Sequence, residues 1–204
     1  DEIPLAQAGA VRPLLLALSI ALAGSAQPDE AVRLLTSPLG GVDAIGLRVL
    51  AREWRSAGHG DAAHLPLAAQ VSQALNDPQW AQTFTEGDQR REMSECRGRL
   101  VAVAALLAGA RDLLDRGATV DRVLWQLWQG TDWPEQLARE AAGDGPSAGR
   151  ADADLDALCA LFDVAAETSG RGGAAGVRAF LSELAAQQIP ADRQREARVA
   201  GRGV

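Results

Sequence analysis

Residues 100–107 read LVAVAALL, and with their flanks, 90–116, they form the stretch that decides the fold. Ala and Leu dominate it, and both are strong helix formers. Gly117 follows the last apolar turn and is a common residue just beyond a helix end. The segment therefore predicts one long helix, which ends at this glycine.

Further segments rich in Ala and Leu lie on both sides of this helix. They are separated by stretches with Gly, Pro or Asn-Asp-Pro, which are typical of helix ends and turns. Helices are predicted at about 10–23, 29–36, 43–57, 65–76, from Thr119, from Thr131 or Asp132, at 154–167 and at 174–187. The segments 143–149 and 170–173 are expected to be loops, and Pro190 is expected to prevent the last helix from continuing. Since the middle of the chain lacks the sustained period-two alternation of strands, the sequence predicts an all-α, irregular multi-helix domain with short extended ends.

The composition excludes several function classes. All 20 basic residues are Arg, so neither a GxxxxGK[ST] phosphate loop nor chemistry on a lysine amine is possible. The net charge of −7 argues against a generally basic nucleic-acid coat, although it leaves room for a local basic face. Cys96 and Cys159 lack CxxC spacing, which fits a reducing cytoplasm. The longest apolar run, 14–23, is too short to cross a bilayer.

No catalytic or metal centre is predicted. His59, Asp61 and His64 could supply three ligands, but they lie in a glycine-rich loop without the helical spacing of a zinc helix. Residues 152–156 imitate the start of a calcium loop, yet Ala157 stands where such a loop needs glycine. The first group is better explained as solvated loop residues, and the second as acidic residues favoured at a helix N-terminus.

The strongest binding candidate is the turn PLGGVD at 38–43 together with the helix that follows it. Asp43 is a plausible N-cap, and three arginines follow at spacings that place them on one face. A glycine turn at a helix N-terminus can offer N–H groups to phosphate, and an arginine face extends such a site. The alternative is an ordinary helical hairpin with a solvated polar face. The candidate DNA-backbone residues are Gly40, Gly41, Val42, Arg48, Arg52 and Arg55.

Trp125, Trp128 and Trp133 form an aromatic cluster in a chain with only 4% aromatic residues. The cluster is interpreted as a packing anchor between helices, with a base-stacking platform as the alternative.

Several segments, in this order, resemble actinobacterial UvrD/RecB-type DNA helicases of superfamily one, and among them most closely the AdnAB-like helicase–nuclease subunits. They are LLTSPLGGVD at 34–43, LWQLW at 124–128, TDWP at 131–134, DLDALCALFD at 154–163, and FL at 180–181 followed by AQQIPAD at 186–192. The resemblance spans nearly the whole chain.

The resemblance implies that the chain is a 2B subdomain, a helical insertion in the second RecA-like motor domain. Residues 1–5 would be the end of a motor (2A) strand, 6–198 the 2B insertion and 199–204 the return to the motor. ATP and Mg²⁺ would be bound by the flanking RecA-like domains rather than by this segment. The implied parent is an ATP-dependent DNA helicase, with a nuclease, that acts in double-strand break repair.

Relatives use the insertion to contact duplex DNA or a partner subunit, and a P-x-R-G-I-G turn grips the DNA backbone. Pro38, Gly41 and Val42 fit this motif, whereas Gly40 stands at its arginine and Asp43 at its last glycine. Because the Asp43 carboxylate would repel phosphate, contact is expected to rest mainly on the three arginines. The alternative from another class is a free-standing helical protein–protein interaction module without DNA.

Overall fold

A computed structural model describes residues 4–56, 65–83, 91–168 and 170–200, with the backbone alone at 56, 82–83, 91–94 and 187–200. Across these ranges the chain is all-helical and contains no strand, which confirms the predicted fold class. A 3-10 helix, Leu5–Gln7, precedes ten α-helices. They are α1 (Val11–Ala23), α2 (Pro28–Leu35), α3 (Ala44–Ser56), α4 (Leu67–Asn76), α5 (Pro78–Thr83), α6 (Arg91–Asp115), α7 (Val120–Gln129), α8 (Trp133–Ala141), α9 (Pro146–Glu167) and α10 (Gly173–Ala200).

Helix α6 is the central element, as the stretch 100–107 predicts. It packs against α1, α3, α4, α5, α7 and α10. Leu100, Val103, Leu107, Ala110 and Leu114 recur every three or four residues, and all are buried. Burial of each large side chain contributes about 1.5–3 kcal/mol, so this stripe supplies much of the driving force for folding.

The α1–α2 connection is fastened to α4 through the backbone of Ala26. Its N–H donates to Asn76 Oδ1 at 2.7 Å, and its carbonyl accepts from Ser72 Oγ at 2.7 Å and from Asn76 Nδ2 at 3.1 Å. These bonds satisfy backbone groups where the chain leaves a helix. They fix the start of α2, which leads directly into the 38–43 turn.

The prediction that Pro190 ends the last helix is wrong, because α10 continues to Ala200. A proline inside a helix removes only one N–H donor and can be accommodated by a kink. The flanking residues are mostly Ala, Gln, Glu and Arg, which favour helix. Residues 199 and 200, expected to be returning to a motor domain, therefore lie in this helix.

Two further helices, α9 and α5, differ from the predictions. Helix α9 begins at Pro146, inside the expected 143–149 loop, because proline is well tolerated in a first helical turn and Ala151 is buried there. Helix α5 was not predicted; Asp77 Oδ1 starts it by accepting the N–H groups of Gln79 and Trp80 at 3.0 and 3.1 Å.

At the N-terminal end, Leu5 was expected to be extended but belongs to the 3-10 helix. The N–H of Gln7 donates to the carbonyl of Pro4 at 2.8 Å, a local bond that closes the turn. Residues 1–3 and 201–204 lie outside the described residues. Among the helices described, none has the length and apolar character needed to cross a membrane.

Candidate functional site

The turn before α3 is closed by its own hydrogen bonds. The carbonyl of Ser37 accepts the N–H groups of Gly40 at 3.0 Å and Gly41 at 2.8 Å, and the carbonyl of Leu35 accepts the N–H of Val42 at 3.1 Å. Gly40 and Val42 are also buried. These three N–H groups are thus engaged within the protein, and contact with an anion at this place depends on side chains.

Both glycines of the turn are required by its shape. Gly41 has a φ of +64°, a left-handed conformation that residues with side chains rarely adopt. A Cβ atom on Gly40 would lie 2.3 Å from the carbonyl oxygen of Leu35. This packing explains why glycine, and no arginine, occupies position 40.

Helix α3 begins after Asp43, as the sequence predicts. The carboxylate Oδ1 of Asp43 accepts the N–H of Gly46 at 2.7 Å, which caps the helix. Leu50 and Trp54 are buried on one side of the helix, and Trp54 packs against Trp80 of α5 with ring centroids 6.1 Å apart. The buried side fixes which residues α3 presents to solvent.

The solvent side of α3 carries the three predicted arginines, hereafter the Arg face: Arg48, Arg52 and Arg55. All three are exposed. Arg48 Nε donates to the carbonyl of Ala44 and Arg55 Nε to that of Ala51, each at 3.1 Å. These bonds hold two guanidinium groups against their own helix and leave the terminal η donors for other partners.

The acidic residue of α3 lies on its buried side and is neutralised there. Glu53 is 7% exposed, and its Oε2 pairs with Arg97 Nε of α6 at 2.5 Å. An ion pair this buried contributes little net stability but is costly to break, so it fixes α3 against α6. The negative charge of Glu53 therefore does not lie among the three arginines of the Arg face.

Cys96 of α6 also lies at the α3–α6 contact. A Cβ on Gly46 would lie 2.7 Å from its Sγ, so the two helices approach closely here. Burial raises the pKa of the Cys96 thiol, the Asp43 carboxylate raises it further and Arg99 opposes the shift. The thiol is therefore kept neutral, which suits a packing role better than a nucleophilic one.

Arg99 of α6 also contacts the turn, and this contact is not predicted from the sequence. Its Nη1 donates to the carbonyl of Gly41 at 2.9 Å, across 58 residues of sequence. The side chain fills the space that a Cβ on Gly41 would occupy. No local spacing signals this contact, because it arises only when α6 packs beside α3.

The aromatic cluster divides into two parts. Trp128 and Trp133 are buried and pack edge to face with ring centroids 5.0 Å apart, which confirms the predicted anchor between α7 and α8. Trp125 instead is 51% exposed and contacts Phe162 of α9, with ring centroids 5.8 Å apart. Trp125 thus also packs between two helices, α7 and α9, as predicted, but about half of its surface remains exposed.

The candidate metal ligands in 59–64 lie outside the described residues. Elsewhere, over the ranges that the structure describes, no three His, Cys, Asp or Glu side chains come together as a metal site would require. Both cysteines are free.

Comparison with known proteins adds no assignment. No protein-family model matches the chain, and no curated protein matches it significantly. The functional argument therefore starts from the Arg face and the turn beside it.

Proposed function

We propose that the chain is a non-catalytic, helical accessory (2B) segment of an ATP-dependent DNA helicase of the UvrD/RecB type. In this proposal the Arg face contacts the backbone of duplex DNA, and the segment positions DNA or a partner subunit. The flanking RecA-like domains bind ATP and Mg²⁺, and a nuclease in the same parent acts in double-strand break repair in the cytoplasm. The observation that carries the proposal is the exposure of all three arginines on one side of α3.

The physical case for a phosphate partner rests on charge and reach. A guanidinium offers five N–H donors in a planar fork that matches phosphate oxygens. Successive arginines four and three residues apart lie about 6 and 4.5 Å apart along the helix axis. The face thus presents a short row of cations to a linear polyanion, while Glu53 is occupied by Arg97 on the other side.

The proposal predicts that the triple variant Arg48→Ala/Arg52→Ala/Arg55→Ala binds duplex DNA more weakly. Each phosphate contact contributes about 0.9 to the slope of log K against log salt, so the slope should fall by about 2 to 3. The measurement is fluorescence anisotropy of a labelled duplex, titrated with the 204-residue chain at several salt concentrations.

A matched control is Arg139→Ala/Arg150→Ala/Arg178→Ala, which removes three exposed arginines from α8, α9 and α10. This variant has the same net charge as the first and should retain most of the slope. Equal losses for the two variants, or no loss for either, would contradict the proposed DNA contact.

The exposed Trp125 favours a second candidate function, a helical protein–protein interaction module without DNA. Exposed tryptophans are enriched among residues that dominate protein interfaces. This candidate predicts no salt-dependent binding of duplex DNA by the chain. The same titration therefore discriminates between the two functions.

A further inference from the structure

A small cleft opens where the 38–43 turn meets α6 and the α7–α8 connection. Its volume is about 110 Å³. One water molecule takes up roughly 30 Å³ in the liquid, and pockets for ordinary small-molecule ligands measure about 300–1,000 Å³. The cleft therefore has room for a ligand of only a few non-hydrogen atoms.

The inner wall of this cleft is apolar, whereas its rim is charged. Leu39, Val103 and Trp133 line the cleft and are all buried. Arg99 and Asp132 line it as well, and both are exposed. A small ligand would thus rest its carbon atoms on buried side chains and meet the charged groups at the opening.

The two charges at the rim have opposite signs, and the protein neutralises neither of them. Arg99 Nη1 donates to the carbonyl of Gly41 at 2.9 Å, which fixes the side chain and leaves further N–H donors. The Asp132 side chain makes no capping bond to α8. Among the described residues, neither group forms an ion pair, in contrast to Arg97 and Arg116. Arg99 and Asp132 are therefore too far apart to pair with each other.

The other polar groups at the cleft agree with this arrangement. The N–H groups of Gly40 and Gly130 are engaged by carbonyls of their own segments. Gln136 of α8 is half-buried and lines the cleft, and its amide can donate to a carboxylate or accept from an ammonium group. Asp43 and Glu95, the carboxylates near Cys96, are not among the described residues that line the cleft.

The geometry points to this cleft as a binding site for a small zwitterion with the carboxylate and ammonium groups of an α-amino acid. The carboxylate meets the Arg99 guanidinium, the ammonium group meets the Asp132 carboxylate, and Gln136 adds a neutral hydrogen bond. A simple anion would be repelled by Asp132 and a simple cation by Arg99. The volume restricts the ligand to the smallest amino acids. The inference is independent of DNA contact, because the Arg face does not line this cleft.

The choice of ligands tests the zwitterion directly. The isotope-labelled 204-residue chain is titrated with glycine, acetate or methylammonium, and NMR follows the backbone N–H groups of the residues that line the cleft. We expect saturable shifts with glycine at millimolar concentration. Acetate and methylammonium should bind about tenfold more weakly, because each lacks one of the two charge-assisted contacts. Leucine should give no saturable shift, because its side chain exceeds the volume.

Substitutions test the assigned residues. Arg99→Gln and Asp132→Asn should each weaken glycine binding by about tenfold, and Asp132→Asn should leave acetate binding no weaker. Ala102→Leu places a larger side chain at the exposed rim without a change of charge and should abolish the shifts. Ala105→Leu is the matched control, since Ala105 is also exposed on α6 but does not line the cleft. Thermal unfolding checks that each variant folds.

Three results would overturn the inference. They are the absence of a saturable shift with glycine, equal affinities for glycine and acetate, and glycine binding that is unchanged in both Asp132→Asn and Ala102→Leu. Because Arg99 also supports the turn, Arg99→Gln could lose stability, but these three results do not depend on that variant. None of them bears on the proposed contact of the Arg face with DNA.

Discussion

Asp43 has two opposing effects at the start of α3. Its carboxylate caps the helix through the N–H of Gly46 at 2.7 Å, an interaction of the kind that contributes about 1 kcal/mol to helix stability. The same carboxylate places a negative charge beside the surface proposed to bind phosphate. The cap needs only an acceptor oxygen, whereas the repulsion needs the charge, so the two effects can be separated.

We therefore predict that Asp43→Asn strengthens duplex binding while preserving the fold. An asparagine retains the acceptor and removes the charge, and one unit charge several Å from a phosphate in water-like surroundings is worth about 0.5 to 1 kcal/mol. The expected gain in affinity at low salt is about two- to fivefold. It is measured by anisotropy at fixed salt.

The control for this substitution is Asp43→Ala, which removes both the charge and the cap. It should lower the unfolding temperature, whereas Asp43→Asn should not. An unchanged or weaker affinity for Asp43→Asn would show that no phosphate approaches this end of α3.

Because Asp43 contributes to the raised pKa of Cys96, Asp43→Asn should also shift the pH midpoint of Cys96 alkylation downward.

Between elements, the α3–α6 contact depends on the small size of Gly46. A Cβ atom there would lie 2.7 Å from Cys96 Sγ and 2.9 Å from Val42 Cγ1. Glycine in a helix ordinarily lowers the stability of the protein by about 0.5–1 kcal/mol relative to alanine. At this position glycine is nevertheless favoured, because it allows α3 and α6 to approach closely.

We predict that Gly46→Ala destabilises the protein by about 1–3 kcal/mol, the usual range for an overpacked contact. Gly98→Ala is the matched control, since Gly98 lies in the same pair of helices and a Cβ there meets nothing within 4 Å. That substitution should stabilise the protein by up to about 1 kcal/mol. Urea unfolding measures both, and equal effects of the same sign would contradict the close packing of α3 on α6.

The elements that the sequence could predict are those with an unbroken helical period and a clear end signal. Helix α6 and its stop at Gly117 are examples, because Ala, Leu and a following glycine act locally. Helix α5 was missed because its six residues carry no full apolar period and depend on the Asp77 cap. The continuation of α10 past Pro190 was missed because proline weakens a helix without always ending it.

The same distinction applies to the site. The Arg face could be predicted because the spacing of 48, 52 and 55 within one helix fixes their common side. Three features could not be predicted: the engagement of the turn's N–H groups, the burial of Glu53 with Arg97, and the position of Arg99. The first depends on how the turn closes on the carbonyls of Ser37 and Leu35. The other two depend on how α3 meets α6, and one sequence does not encode that register in any local pattern.

In the whole molecule, a local cationic face is set against a net charge of −7. Long-range attraction to DNA is therefore weak or repulsive, and binding must come from short-range contacts of the few arginines that meet the phosphates. Salt screens such charges beyond about 8–10 Å under physiological conditions. The chain should thus bind duplex DNA modestly by itself and effectively only when a larger assembly holds it near DNA.

This charge distribution gives an upper limit for the salt dependence of binding. With the three arginines of the Arg face as the phosphate contacts, the slope of log K against log salt should not exceed about 2.7 in magnitude. Between 50 and 200 mM salt the affinity should then fall by roughly fortyfold. A salt series on the unsubstituted chain measures this directly. A slope of about 5 or more would mean that arginines outside α3 carry much of the contact, and the proposed surface would be too small.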